Sequence, residues 1–505
     1  MGQTPKKTIS FDEVVRGIQR KIRCYNPLSI LRCSLDYLYA PTKDKFEQVS
    51  KHPWLILLLI KWVFLDPLVN NPMGRPDVSR EEMLNLLQGV YDLTDSGSMP
   101  NEYADVRLFM RALAYQQFFH QTNNGMIDIA RQELLFSKVP GNHYFKSRFL
   151  NSSGVSVESF LRLALFLVAL VNKNGPIVKR SVFFDLSSCF LPTEIDAFLR
   201  LVSVDIARLH EVVVAKDKDG RHPNEFLQQT PFLSFPLINV GAEYWCVSPH
   251  VLERSLGFFV YDFLKRDDVN RFNHPFGKAF EGYVGSWLRK SGLQIADEAE
   301  LNQALAGEGK LVDFIAVDGN ANVLIDAKGV EMSQVGMVAL QRGDVRRATQ
   351  TSLIKAFQQG HEVSHRLALL DSSHPVIRKR NKTYLLAVTY KELYIGNGVA
   401  LAKVVGSHEL DKIRSSYSAQ EFIPEENIYF LTIHEFERLM CLVEAGKVGL
   451  VEALEKAKTA DSDPSTQKFS FELHVNEWAK KLGGEQPLRD VLRGMMDELL
   501  TRLDS

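Results

Sequence analysis

The segment Lys310-Leu-Val-Asp-Phe-Ile-Ala-Val-Asp-Gly-Asn-Ala-Asn-Val-Leu-Ile-Asp-Ala-Lys328 constrains this chain more than any other. Two short runs of β-forming residues flank Asp318-Gly319-Asn320, a strong turn signal, and the second run stops at Gly329. The pattern predicts strands over 311–317 and 323–328, joined as a hairpin. Side chains alternate faces along a strand, so Asp326 and Lys328 share one face and Ala327 takes the other. Asp313 then arrives from the neighbouring strand, and two acids and a cation meet at one end of an otherwise apolar hairpin.

That combination points to a metal and a water. Mg2+ takes oxygen ligands, commonly one or two carboxylates with water and substrate phosphate. A metal so held lowers the pKa of its water and stabilises charge on a phosphate. Lys328 is placed to orient the water or to neutralise developing charge. A fourth candidate lies upstream. Phe280, Tyr283, Val284, Trp287 and Leu288 recur at helical spacing and predict one buried face, with Glu281 beside it. The bland alternative is an ordinary hairpin ending in a surface Asp326–Lys328 ion pair. Such a pair contributes only ~0–1 kcal/mol, and it gives no reason for the other acids to converge.

The order of acidic helix, strand Asp, about a dozen residues and then Asp-x-Lys resembles the PD-(D/E)xK nuclease superfamily, the restriction-endonuclease-like enzymes. Glu281, Asp313, Asp326 and Lys328 match that pattern residue by residue. The likeness covers roughly residues 275 to 390. Val312 stands where the name-giving Pro would be, and Asp326 takes the D/E position. The resemblance implies a metal-dependent endonuclease with Mg2+ (or Mn2+) as cofactor. It makes Asp313, Asp326, the Ala327 carbonyl and Glu281 the metal ligands, with Lys328 acting on the attacking water. DNA is the favoured substrate, with RNA as the alternative.

Downstream, residues 342–357 are predicted to form a helix bearing Arg342, Arg346, Arg347, Gln350 and Lys355 near one side. Cations at this spacing suit phosphate contacts, although a solvated helix face accounts for them equally well. Family members often carry a Gln near the site, and Gln341 or Gln350 is the expected residue. Arg378-Lys379-Arg380 adds a basic loop before the apolar run Tyr384–Tyr390.

A second motif competes. His361-Glu362-Val363-Ser364-His365 fits H-E-x-x-H, which on a helix aligns two imidazoles for zinc with Glu362 as general base. This is the zinc metalloprotease alternative. Gly360 at the entry is expected to break a helix there, Arg366 follows directly, and no third ligand stands out. A third reading is an inactive nuclease fold that serves as a nucleic-acid-binding module.

Composition bounds the rest. The chain has 505 residues, 45% hydrophobic and 24% charged, enough for two to four domains with real cores. Cys24, Cys33, Cys189, Cys246 and Cys441 show no CxxC spacing, and their odd number suits a reducing cytoplasm. The polar start Met-Gly-Gln-Thr-Pro-Lys-Lys reads as no signal peptide. Trp54–Leu65 is too short to cross a membrane and is split by Lys61, so a buried helix is expected. Net charge is −1, so nucleic-acid binding must come from local patches.

The expected architecture is an α+β multidomain chain. Residues 1–265 form a mainly helical N-terminal region that senses a partner, binds nucleic acid or builds a homo-oligomer. Residues 266–440 form the restriction-endonuclease-like α/β/α core, and 441–505 a helical C-terminal tail, with a linker at 459–466. A nuclease core on a large helical module is similar to restriction and anti-phage effectors, which implies a role in antiviral defence.

Overall fold

A computed structural model of the chain describes residues 10–95, 106–122, 124–217, 220–221, 223–305, 309–418, 421–484 and 486–503. The fold is α+β: mostly helix, with two small mixed sheets. It divides into two compact units, one of residues 1–104, 112–267 and 490–505, the other of 105–111 and 268–489. The break at Asp267 falls inside the charged stretch 265–273. The expected tail 441–505 does not stay together. Helix Phe471–Leu482 belongs to the second unit, and most of helix Arg489–Leu503 to the first.

In the first unit the helix Pro53–Leu65 is buried from Leu55 to Phe64. Lys61 interrupts its apolar run and is buried with it. Its ammonium lies 2.7 Å from Asp217 and 2.8 Å from Glu225, and Glu225 also accepts from Trp62 Nε1 at 2.9 Å. A buried cation survives in an apolar helix only when paired in this way. A small sheet completes the unit. Its strands are β1 (Ile177–Lys179), β2 (Ser203–Asp205), β3 (Leu237–Val240) and β4 (Glu243–Cys246), in the order β1-β4-β3-β2. The three-residue strands are too short to show alternation in sequence. The C-terminal helix is tied here by Glu498, 2.6 Å from the buried Arg162. Among the described residues no single helix is long and apolar enough to cross a membrane.

The second unit is built on β5 (Gln294–Asp297), β6 (Phe314–Asp318), β7 (Ala321–Lys328), β8 (Lys382–Thr389) and β9 (Ile428–Thr432), in that order across the sheet. The β5–β6 and β6–β7 pairings are antiparallel, and β7–β8 and β8–β9 are parallel. β6 begins at Phe314, so Asp313 stands just before the strand rather than inside it. The hairpin turns through Gly319, whose φ of +57° puts a left-handed residue first in a two-residue turn. Burial is continuous from Ala321 to Asp326 of β7 and from Tyr384 to Thr389 of β8, the mark of strands covered on both sides.

The cover comes from two helices. Phe314, Ile325 and Leu386 share one face through their cross-strand registry, and Gly285 of helix Val269–Lys290 closes on Phe314. Leu324 and Leu385 share the other face, and Gly360 of helix Leu353–Leu369 closes on Leu385. Gly360 therefore does not break the helix at the H-E-x-x-H entry. It lies in the middle of it, and its missing Cβ lets the helix approach the sheet, because an added Cβ would lie 2.7 Å from Leu385 Cδ2.

Two further expectations are corrected. The basic helix over 342–357 is two helices, Arg342–Thr349 and Leu353–Leu369, separated at Gln350–Ser352. The supposed linker 459–466 is helical through Ser462. There Asp461 accepts from Lys468 N at 3.1 Å and Asn397 Nδ2 at 3.1 Å, and lies 3.0 Å from His474 Nε2. The turn signal is real but acts later, at Asp463, which caps Ser465 N.

Gly360→Val should lower stability by about 1–3 kcal/mol by overpacking the helix against Leu385. In thermal unfolding this is a loss of roughly 2–4 °C per kcal/mol. An unchanged melting temperature would show that the helix is free to move away from the sheet.

Candidate metal centre

Strand registry assembles the centre. Phe314 pairs with Ile325, so one step further along the same ladder Asp313 stands opposite Asp326. Asp313 Oδ2 accepts the Ala327 backbone N–H at 2.6 Å, which fixes its carboxylate across the end of β7. Asp326 is 1% exposed, and neither of its oxygens accepts a hydrogen bond of ordinary geometry. Lys328 Nζ lies 2.6 Å from Asp326 Oδ2. This pair is not a surface ion pair: the two side chains are 11% and 1% exposed.

Burial acts on both acids, and repulsion by the charge of Asp326 acts on Asp313. Burial first, then the charge of Asp326, pushes Asp313 up from the usual 3.8 to about 7. Burial also raises Asp326, with the Lys328 ammonium opposing it. Two acids driven toward the neutral form in this way are a site short of positive charge.

Lys328 is oriented by a residue the sequence reading missed. Its ammonium donates to Gln359 Oε1 at 2.7 Å, and Gln359 Nε2 in turn donates to the Leu311 carbonyl. The expected glutamines sit elsewhere, Gln341 at the N-cap of helix Arg342–Thr349 and Gln350 at its C-cap. Gln359 lies one turn beyond Lys355 on helix Leu353–Leu369, and that i,i+4 spacing was the available signal.

Glu281 lies on helix Val269–Lys290 and accepts from Lys278 Nζ at 2.9 Å. A second missed residue, Glu298, opens the helix Glu298–Leu305 directly after β5. One ligand atom each from Glu281, Glu298 and Asp313 lie within 4.8 Å of one another. Among the described residues this is the one group of three or more such side chains close enough to share an ion. The donors are all carboxylate oxygens, a set that suits a hard divalent cation. Asp326 stands opposite Asp313 and carries the Lys328 ammonium 2.6 Å from its Oδ2.

Two of the five expected phosphate contacts are paired with acids. Arg346 lies 3.0 Å from Glu409, and Arg347 is paired with Asp344. Arg342 and Gln350 are exposed, with Gln350 in the break between the two helices. Lys355 is exposed and its charge reaches Asp326, which it helps keep ionised. The basic loop 378–380 precedes β8, whose first residue pairs with Ala321. It is therefore at the opposite end of the sheet from Asp326.

The H-E-x-x-H residues do lie on one helix, but each has other work. His361 is fully buried, with Nδ1 2.9 Å from the Phe357 carbonyl, and burial pushes it down to about 4. His365 Nδ1 lies 2.7 Å from Glu421, and Glu362 accepts from Tyr417 Oη at 2.7 Å.

Because the folded protein raises the pKa of Asp313, it binds that proton more tightly than the unfolded chain does. The associated stability is present below pH 3.8 and is lost as pH rises through about 7. Asp313→Asn carries no such penalty. In EDTA its melting temperature should gain on the wild type between those pH values and hold a constant lead above them. A difference that does not change with pH would show that Asp313 is not held toward its neutral form.

No protein-family model, curated protein or solved structure matches this chain, so its function is read from the geometry of this centre.

Proposed function

We propose that this chain is a metal-dependent nuclease with a restriction-endonuclease-like core, hydrolysing phosphodiester bonds with DNA as the favoured substrate. The observation that carries the reading is the opposed pair Asp313 and Asp326, with Lys328 two residues on and held by Gln359. The helix-borne Glu281 and the mixed order β5-β6-β7-β8-β9, with a helix on each face, support the same fold. All four residues of the motif are intact and converge on the C-terminal end of β7, which favours a catalyst over an inactive binding module.

Asp313, Glu281 and Glu298 would hold Mg2+ or Mn2+, with Asp326 beside them. The ion supplies a more acidic water and neutralises charge on the phosphate. In the reaction a water oxygen bonds to phosphorus, the ester P–O bond breaks, and the leaving oxygen takes up a proton. Lys328 is fixed in direction by Gln359 and in charge by Asp326. It orients the attacking water and stabilises charge developing on the phosphoryl oxygens. Lys355 adds positive charge on the same side. A place in antiviral defence belongs to this proposal, with the first unit as the sensing or assembling part.

Plasmid DNA and a structured RNA incubated with the protein in Mg2+, Mn2+ or EDTA test this directly. Cleavage should need the divalent ion. Asp326→Asn should abolish it while folding at least as stably as the wild type, since it removes a buried charge and keeps the shape. Lys328→Ala should lose at least ~10²-fold in rate, and it should also lower stability, because it leaves Asp326 buried without its cation. Near-wild-type cutting by folded Asp326→Asn protein overturns the assignment.

A further inference from the structure

Lys278 and Glu281 are one turn apart on helix Val269–Lys290, and the Lys278 ammonium does not point away from the carboxylates. It lies 2.9 Å from Glu281 Oε2 and 3.6 Å from Glu298 Oε2. Those two groups and Asp313 offer ligand atoms within 4.8 Å of one another. Three carboxylates at that separation repel strongly unless a cation sits among them. The Lys278 side chain is 59% exposed, so it can leave without unpacking the helix.

An acidic cluster alone does not make a site, but a second observation points the same way. Asp326 faces Asp313 across the hairpin, is 1% exposed, and receives no well-formed hydrogen bond on either oxygen. Lys328, 2.6 Å from its Oδ2, is committed to that carboxylate, so the charge of Asp313 opposite it stays incompletely balanced. Lys328 answers on one side of the hairpin end, and Lys278 is the cation that reaches Glu281 and Glu298. Glu298 lies outside the strand motif altogether, on the short helix after β5.

We propose that Glu281, Glu298 and Asp313 form a divalent-cation site in which Lys278 is a displaceable counter-ion. Without a divalent ion the ammonium holds Glu281 and Glu298 together. When Mg2+ or Mn2+ enters, its double charge replaces the single charge of Lys278, and the lysine moves out to solvent. Lys278 therefore sets the concentration at which the site loads. This inference rests on the metal-dependent reading of the same centre.

The test is Mn2+ binding to the full chain, followed by calorimetry and by the Mn2+ electron paramagnetic resonance signal, with thermal unfolding as a check on folding. Lys278→Met should bind Mn2+ roughly 3–10-fold more tightly than the wild type, a change of about 0.6–1.4 kcal/mol. Lys278→Arg, which keeps the charge, should stay near the wild type. Glu298→Gln should bind at least about tenfold more weakly, and Asp313→Asn should lose binding. Unchanged or weaker binding by Lys278→Met, with Asp313→Asn still defective, overturns the counter-ion role and leaves the metal reading standing. Unchanged binding by Glu298→Gln overturns the three-carboxylate site. Absence of Mn2+ binding by the wild type overturns both the inference and the reading beneath it.

Discussion

The centre depends on a registry that seats two carboxylates opposite each other at the end of the β6–β7 hairpin. Water is largely excluded there, and neither acid is comfortable as an anion. The fold offers three compensations: the Ala327 N–H for Asp313, the Lys328 ammonium for Asp326, and Gln359 to keep that ammonium in place. Each comes from a different constraint. The first is set by pairing across the hairpin, the second by the two-residue period of a strand, and the third by a helix docked on the opposite side of β7 from helix Val269–Lys290. Shifting the hairpin by one residue would turn Asp326 and Lys328 to the other face and undo all three. The turn at Gly319 and the apolar faces that pin this registry are therefore as much a part of the site as its charged groups.

The same economy of charge appears in the first unit. Lys61 interrupts the most apolar helix of the chain, yet it is not a defect. Glu225, Asp217 and Arg221 close around it in a buried group with balanced charge. Arg162 and Glu133 form a second such pair, to which the C-terminal helix adds Glu498. Buried ion pairs of this sort contribute little net stability compared with an apolar replacement, but removing one partner is costly. They hold distant parts of the chain to one arrangement. The contrast with the metal centre is informative: around Lys61 two cations meet two carboxylates, and at the metal centre the carboxylates outnumber the cations.

How much of this was legible in the chain itself varies with the range of the interaction. The hairpin, its turn and the shared face of Asp326 and Lys328 follow from local rules. Strand period and turn chemistry act over a few residues and leave a direct trace. The buried helix around Lys61 and the helix carrying Glu281 were readable for the same reason. Boundaries were not. Helix Leu450–Ser462 runs through an apparent linker because Asp461 has a tertiary partner in His474. The helix bearing His361 runs through Gly360 because the sheet needs a gap there.

What only the tertiary structure decided is which charges meet. Glu298 and Gln359 reach the centre because β5 pairs beside β6 and because helix Leu353–Leu369 crosses β8. Neither pairing leaves a periodic mark in the chain. Arg346 and Arg347 pair with Glu409 and Asp344, the first of these more than sixty positions away and invisible to any local pattern. The sequence by itself determined the chemistry of the hairpin, because alternation along a strand is a property of the backbone. The tertiary structure decided how many carboxylates that chemistry gathers and which lysine stands among them. Those distances depend on how helices pack on a sheet, and many sequences with the same local pattern would pack differently.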